Sequence, residues 1–331
     1  MKSFTAMKFA AIAAAGALAL TACGGSGEQG TAEGGDEAVK IGISQFVSHP
    51  SLDAVVTGFK AGMEEAGYTG EKISYDENNA ETDQATNTSI AGKLAADSDI
   101  DLVLAIATPS AQAAAQAITK VPVLFSAVTD PVDAKLVASN EAPGANVTGT
   151  SDMNPVDEQL QLLKDLVPDA KKVGIVYSSG EANSAVQVKM AKEAAKGLGL
   201  TIEEAAVSAS SEVQQAASSL DVDAYYVPTD NAVVSALEGL LQVAEKNGVP
   251  VISADGESVK RGATATYGIN YEKLGAQTAA MAVKLLKGEA EPATLPVETI
   301  SEVDLYLNED AAKKAGIEFT DEMKSEAVEV Y

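Results

Sequence analysis

The sequence predicts an α/β protein made of two doubly wound, parallel-sheet lobes joined by hinge strands. Three observations predict it. From Val39 onward, short apolar runs alternate with amphipathic stretches. Near-continuous apolar strands alternating with helices imply parallel sheets covered on both faces. The order of elements then repeats: VKIGIS–helix–KISYDE is matched by KVGIVY–helix–TIEEAAV, and DLVLAIATPS–helix–VPVLFSAVTD by AYYVPTDN–helix–VPVISADGE. In this repeat Thr108 aligns with Thr229, and Val121-Pro122 with Val249-Pro250. Finally, NVTGTSD (146–152), TYGIN (266–270) and PVET (296–299) are short polar or Gly-containing stretches suited to crossing between lobes. The expected first lobe is 38–149, completed by 269–299. The second is 150–268, completed by 300–331.

Taken in order, strands are expected at 39–44, 72–77, 101–106, 121–126, 171–177, 201–207, 224–227, 249–253 and 304–308. Each is a short apolar or alternating run of strand length. Helices are expected at 52–66, 82–96, 110–118, 155–166, 182–198, 211–219, 231–247, 271–287 and 309–315. Gly197-Leu198-Gly199 reads as a helix C-cap rather than as part of a dinucleotide fingerprint.

Composition narrows the function. The chain has 331 residues, is 46% hydrophobic and carries a formal charge of −25. A surface this acidic repels nucleic acid, so no nucleic-acid partner is expected. Arg261 is the only Arg; there is one His, one Cys and no Trp. No disulfide can form within the chain. A zinc site would need more Cys and His than this, so no metal is expected.

The N-terminus reads as an export signal. Lys2 and Lys8 form a basic start, and Phe9 to Leu20 is an apolar run too short for a comfortable membrane span. Leu20-Thr21-Ala22-Cys23 reads as a lipobox, resembling bacterial lipoproteins in which the Cys is acylated after cleavage. Residues 1–22 are therefore expected to be a signal peptide. Residues 23–37 are expected to be a lipidated, Gly-rich and acidic tether, with a typical span of about 20 Å. The implied location is extracytoplasmic, anchored to the cell membrane through Cys23.

Candidate binding residues cluster where strands give way to helices, the position at which open α/β sheets bind ligands. After the third strand come Thr108, Pro109 and Ser110; after the fourth come Ser126, Ala127, Thr129 and Asp130. Hydroxyls and free backbone N–H groups at helix starts suit a carboxylate, although such residues also serve as plain caps. The second lobe offers Thr229, Asp230 and Asn231, with Asp255 at the next corner. A buried Asp230 needs a cation or several donors. It can cap its helix with one oxygen and face a ligand ammonium with the other. On that basis Asp230→Asn is expected to weaken binding at little cost in stability. Ser44 and Gln45 follow the first strand, and Tyr177, Asn183 and Ser184 follow its counterpart. Tyr267 lies at a predicted hinge. His49 lacks a partner Cys or His, which favours a structural role.

The sequence has no G-x-S-x-G, G-x-x-x-x-G-K-[ST], H-E-x-x-H or Gly-rich dinucleotide fingerprint. Neither catalysis nor a cofactor is expected. The residues then resemble a known family. KIGISQFVSHPSLD, IATPSAQAAA, FSAVTDPVDAKLV, NVTGTSD, YSSGEANS, VPTDN and ATYGIN occur in order. They are similar to the tryptophan/tyrosine-type substrate-binding lipoproteins of ABC importers. That resemblance implies a type I periplasmic-binding-protein fold, a monomer, ABC permease subunits as partners and an aromatic amino acid as ligand. It also implies roles. The ligand carboxylate would meet Thr108, Ser110 and the 126–129 corner, and its ammonium Asp230, with Asp255 beside it. Tyr177, Asn183 and Tyr267 would shape the side-chain pocket. The alternative readings are an extracytoplasmic sensor and a binder of another small solute, such as a sugar.

Overall fold

The computed structural model describes residues 38–300 and 302–331, so the expected signal peptide, Cys23 and tether lie outside the described residues. The chain enters as β1 (Val39–Gln45), α1 (Pro50–Glu65), β2 (Ile73–Asn79), α2 (Gln84–Ala96), β3 (Leu102–Ile106), α3 (Thr108–Ala117), β4 (Val123–Ser126) and β5 (Val147–Ser151). It continues through α4 (Val156–Leu166), β6 (Lys172–Ser178), α5 (Ala182–Leu198), β7 (Thr201–Val207), α6 (Val213–Ser218), β8 (Ala224–Val227), α7 (Asn231–Ser235), α8 (Leu237–Asn247), β9 (Val251–Ser253), α9 (Gly256–Arg261) and β10 (Ala265–Gly268). It closes with α10 (Tyr271–Leu286), β11 (Glu298–Thr299), β12 (Asp304–Leu307), α11 (Glu309–Lys314), α12 (Asp321–Glu326) and β13 (Glu329–Val330).

Two sheets result. The first runs β11-β5-β4-β3-β1-β2 and the second β13-β12-β10-β9-β8-β6-β7. The pairings in the first are parallel. In the second, β12 runs antiparallel to β10. The internal repeat is visible as matching strand order, β2-β1-β3-β4-β5 against β7-β6-β8-β9-β10. Each half reverses its winding beside its first strand, which leaves a crevice between β1 and β3 and another between β6 and β8.

The central strands are apolar because both faces are covered. All five residues of β3 are buried, as are all four of β8. Proline shifts two expected strand starts. Val121-Pro122 and Val249-Pro250 precede β4 and β9 rather than opening them, since proline has no N–H for the ladder. Their carbonyls still serve the neighbouring strand: Val103 N donates to Pro122 O, and Tyr225 N to Pro250 O.

The chain crosses between sheets three times: after β5 into α4, after β10 into α10, and after β11 into β12. Helix α10 therefore belongs to the first lobe, where it packs on α1. The contact is too close for side chains at two positions. A Cβ at Gly58 would sit 1.9 Å from Glu272 O, and one at Gly275 would sit 2.1 Å from Val55 O.

The helix expected over 231–247 is two helices. Ala236, with φ −118° and ψ 26°, breaks it between α7 and α8. The short elements α9, α12 and β13 carry too few residues for a periodic pattern to show in the sequence.

Candidate functional site

The crevices of the two lobes face each other, and the lobes touch there. Ser51, on α1, donates to Asp255 Oδ1 at 2.8 Å. The hydroxyls of Thr129, after β4, and Thr229, after β8, lie 3.2 Å apart. A narrow cleft pocket, with a cavity volume of about 20 Å³, lies between these contacts.

Of the residues foreseen from sequence, Ala127, Thr129, Asn183, Thr229, Asp230, Asn231 and Asp255 line this pocket. His49, Ser51, Leu52, Asp152, Val234 and Tyr271 join them. Asp152 sits where β5 leaves the first sheet, at the end of the NVTGTSD crossing. An acid on a predicted hinge segment was its only sequence signal. The sequence favours a structural role for His49, and its burial is 92% complete; yet it forms part of the cleft wall, and its Nδ1 has no partner.

Backbone strain marks the first-lobe corners. Ala107 and Ala127, each directly following a strand, have φ of 76° and 56°. A left-handed conformation costs a non-Gly residue roughly 1–3 kcal/mol and gathers at ligand sites. At Ala107 it turns the chain into α3. There the hydroxyls of Thr108 and, from β1, Ser44 are buried and have no partner. Thr108 is a donor left at a helix start, the arrangement that suits an anion, whereas Ser44 lies within β1 beside Ala105 of β3.

Other expected contacts are spent elsewhere. Ser110 Oγ donates to Asn87 Oδ1. Ser126 Oγ belongs to a buried hydroxyl cluster with Thr150 and Thr278, at 3.0 Å from each. Gln45 Nε2 donates to Val47 O and Asp53 Oδ1. Pro109 is buried at the start of α3, and Asp130 Oδ1 accepts from the N–H groups of Val132 and Asp133 in a turn. Tyr177 packs in the second-lobe core. Tyr267 packs there too, and borders an outer groove with residues of α4 and α5. Strand alternation explains this: the neighbouring Thr266 turns its hydroxyl inward to Ser253 O.

The second-lobe half of the cleft is rich in buried carboxylates. Asp230 is fully buried and caps α7 by accepting from Val233 N at 2.9 Å. Its other oxygen accepts from Ser178 N and from Ser184 Oγ at 2.6 Å, so it ties the end of β6 to α7 rather than projecting freely into the cleft. Burial raises its pKa against these donors. Asp255 caps α9 in the same way, accepting from Ser258 N and Ser258 Oγ as well as Ser51.

Glu181, which no sequence signal singled out, lies behind Asp230. It accepts from Asn231 N, Asn231 Nδ2, Ala232 N and Asn183 Nδ2. Burial, together with the nearby Asp230 charge, pushes its carboxyl up to about 8. Asn183 Nδ2 donates to Glu181 Oε2 and, at 2.7 Å, to Thr229 O. Two acceptors fix the amide's orientation, and its Oδ1 is left buried without a partner.

Asp152 differs from the other acids. Its Oδ2 accepts from Tyr271 Oη at 2.9 Å and its Oδ1 from Thr129 Oγ1 at 3.2 Å. Burial pushes this carboxyl up to about 6, against those two hydroxyls. No Lys or Arg lines the cleft. Arg261 instead makes a two-bond fork to Glu238, with both N···O distances 2.9 Å. His49 supplies no charge, since burial lowers its pKa to about 4.

A roomier groove lies on the second lobe between α8, α9 and α11, but its Lys314 is already paired with Glu245 and its Arg261 with Glu238. Among the described residues, no cluster of His, Cys, Asp and Glu could hold a metal ion, and no helix is long and apolar enough to cross a membrane.

Comparison with known proteins agrees with this architecture. A tyrosine-binding protein of Clostridioides difficile is 46% identical over 82% of this chain and 79% of its own. The crystal structure of an ABC domain in complex with L-Trp from Streptococcus pneumoniae superposes with a TM-score of 0.86 at 38% identity, covering 89% of this chain and 100% of that one. The ligand-free, open structure of a substrate-binding protein with adhesive properties from Clostridium difficile is 46% identical. It covers 88% of this chain and 99% of that one, and its TM-score is only 0.68. The better overlay on the less similar sequence fits the cross-cleft contacts, which close the lobes here. The ABC transporter substrate binding protein family model matches residues 40–331. With two matched parallel-sheet lobes of the type I periplasmic-binding-protein fold, the chain belongs to the family of ABC transporter substrate-binding proteins.

Proposed function

We propose that this protein captures an aromatic amino acid in the cleft between its lobes, closes on it, and delivers it to the permease of an ABC importer without chemical change. The observation that carries the reading is the polarity of the cleft. One wall is built of buried carboxylates with no Lys or Arg among the lining residues; outside that lining, the first lobe holds one unpartnered hydroxyl, Thr108, at the start of α3. A ligand with an ammonium at one end and a carboxylate at the other complements both. The tyrosine-binding relative and the L-Trp complex support an aromatic side chain. The ligand would touch both lobes, so binding would favour the closed state over the open one.

The proposal extends to the membrane. Cys23 would carry a lipid, and residues 24–37 would tether a monomeric body outside the cell. His49 is the only His, and its buried Nδ1 has no partner, so no His-activated nucleophile of the Ser–His kind is formed through that atom.

Calorimetric titration of the purified protein, refolded to strip bound ligand, tests this reading. The panel is tryptophan, tyrosine, phenylalanine, leucine and ribose. Saturable binding of an aromatic amino acid at micromolar or lower concentration is expected. Binding of ribose alone would overturn it.

A further inference from the structure

We propose that the ammonium of the ligand is received by Asp152, the carboxylate on the crossing between the lobes, rather than by Asp230. The inference rests on the reading of this cleft as an amino-acid site. It follows from comparing what each buried acid already holds. A carboxylate offers about four acceptor positions. Asp230 accepts from two backbone N–H groups and one hydroxyl, and Asp255 from one backbone N–H and two hydroxyls. Glu181 accepts from four N–H groups. These three are helix caps whose capacity is largely used. Asp152 caps nothing, and its side chain accepts two hydroxyl bonds, one of them long at 3.2 Å.

A second observation points the same way. Asn183 Oδ1 is a buried acceptor in the same pocket with no partner, and its orientation is fixed by the two acceptors its amide already serves. An acceptor on each side of the cleft, with no cation on either, is what a multi-donor ammonium requires. Leaving Asn183 Oδ1 buried and unpaired is costly, and Asp152 has acceptor positions to spare. Asp152 is also held from the first lobe, by Thr129 and by Tyr271 at the start of α10, while its own chain leads into α4 of the second. An ammonium bound there would bridge the crossing to Asn183. Affinity would then depend on closure.

The test crosses ligand with variant on the full chain. L-Tyrosine and L-tryptophan are titrated beside 3-(4-hydroxyphenyl)propanoate and indole-3-propanoate, which lack the amino group, into the wild type, Asp152→Asn and Asp230→Asn. The wild type should prefer the amino forms by about 30-fold or more, the worth of a buried charge pair. Asp152→Asn should erase most of that preference, whereas Asp230→Asn should weaken both ligand forms alike. Should the Asn variant fail to fold, Asp152→Ser, which keeps a polar group in less space, carries the same expectation. An amine preference that survives loss of Asp152 and falls with Asp230 overturns the proposal and leaves the amino-acid reading intact. Binding of a non-aromatic amino acid with an Asp152-dependent amine preference overturns the aromatic ligand and supports the proposal. If none of the twenty amino acids binds the wild type, both fall.

Discussion

Ser51 Oγ donates to Asp255 Oδ1 at 2.8 Å, in a buried hydrogen bond joining residues 204 positions apart. Ser51 stands in the first turn of α1, whereas Asp255 caps α9 in the opposite lobe. The same carboxylate thus completes a helix start and fastens the two lobes. With the Thr129–Thr229 pair it sets the closed arrangement around the cleft.

Removing that donor should shift the ligand-free protein toward an open form. Ser51→Ala deletes one buried hydrogen bond, worth about 1 kcal/mol, or roughly fivefold in the closed-to-open ratio. Small-angle scattering should show a larger radius of gyration for the ligand-free variant, and ligand should restore the wild-type value. An unchanged radius would mean that this bond does not govern closure.

Thr108→Val probes the anion end. The Thr108 hydroxyl is buried with no partner, so a nearly isosteric Val should leave the melting temperature unchanged or raise it. If the hydroxyl meets the ligand carboxylate, affinity should fall by about tenfold or more, as for loss of a hydrogen bond to a charged group. Equal affinity by calorimetry would remove Thr108 from the site.

Asp230→Asn should cost more stability than the sequence alone suggests. Asn keeps one acceptor oxygen where Asp230 uses both, so either Val233 N or the Ser178–Ser184 pair loses its partner. A loss of about 1–3 kcal/mol is expected in denaturant unfolding. A variant as stable as wild type would show that these bonds are replaceable.

Affinity should depend on pH through Asp152. Its carboxyl titrates near 6 in the ligand-free protein, and an ammonium would favour the ionised form. Binding should therefore be constant above about pH 7 and weaken by up to tenfold per unit as pH falls below about 6. The titratable groups around the cleft are Asp255, Asp230 and Tyr271, with His49 held neutral at these pH values and Glu181, pushed up to about 8, bonded behind Asn183. Tyr271 stays protonated, because burial and the Asp152 charge raise its pKa well above the ordinary value. Calorimetry between pH 5 and 8 measures the slope, and a flat profile would exclude Asp152 as the ionised partner.

Cys23→Ser should move the protein from the membrane fraction to the soluble fraction, since the acyl chain would be its sole anchor. Continued membrane retention of the variant would rule out lipidation at this position.

The sequence by itself determined the two α/β halves and their matched corners. Apolar strands and amphipathic helices are local patterns, so the repeat shows the order of elements along the chain and their doubling before any contact is known. It also singled out Thr129, Thr229, Asp230 and Asn183, because small polar residues after a buried strand must lie at its carboxyl end. Only the tertiary structure decided which of those side chains have capacity left. Ser110 and Ser126 look as suitable as Thr108 in sequence, yet Asn87 and Thr278 from distant elements already occupy them. Tyr267 lies at a crossing, but the parity of its strand turns it away from the cleft. Asp152 and Glu181 lie within the NVTGTSD and YSSGEANS stretches, but nothing local marks either acid as a site residue. Their place follows from burial and from donors brought in by other elements: Thr129 and Tyr271 for the first, and the start of α7 for the second. A local pattern can say where a strand ends, but the state of a buried carboxylate is a sum over neighbours that folding alone assembles.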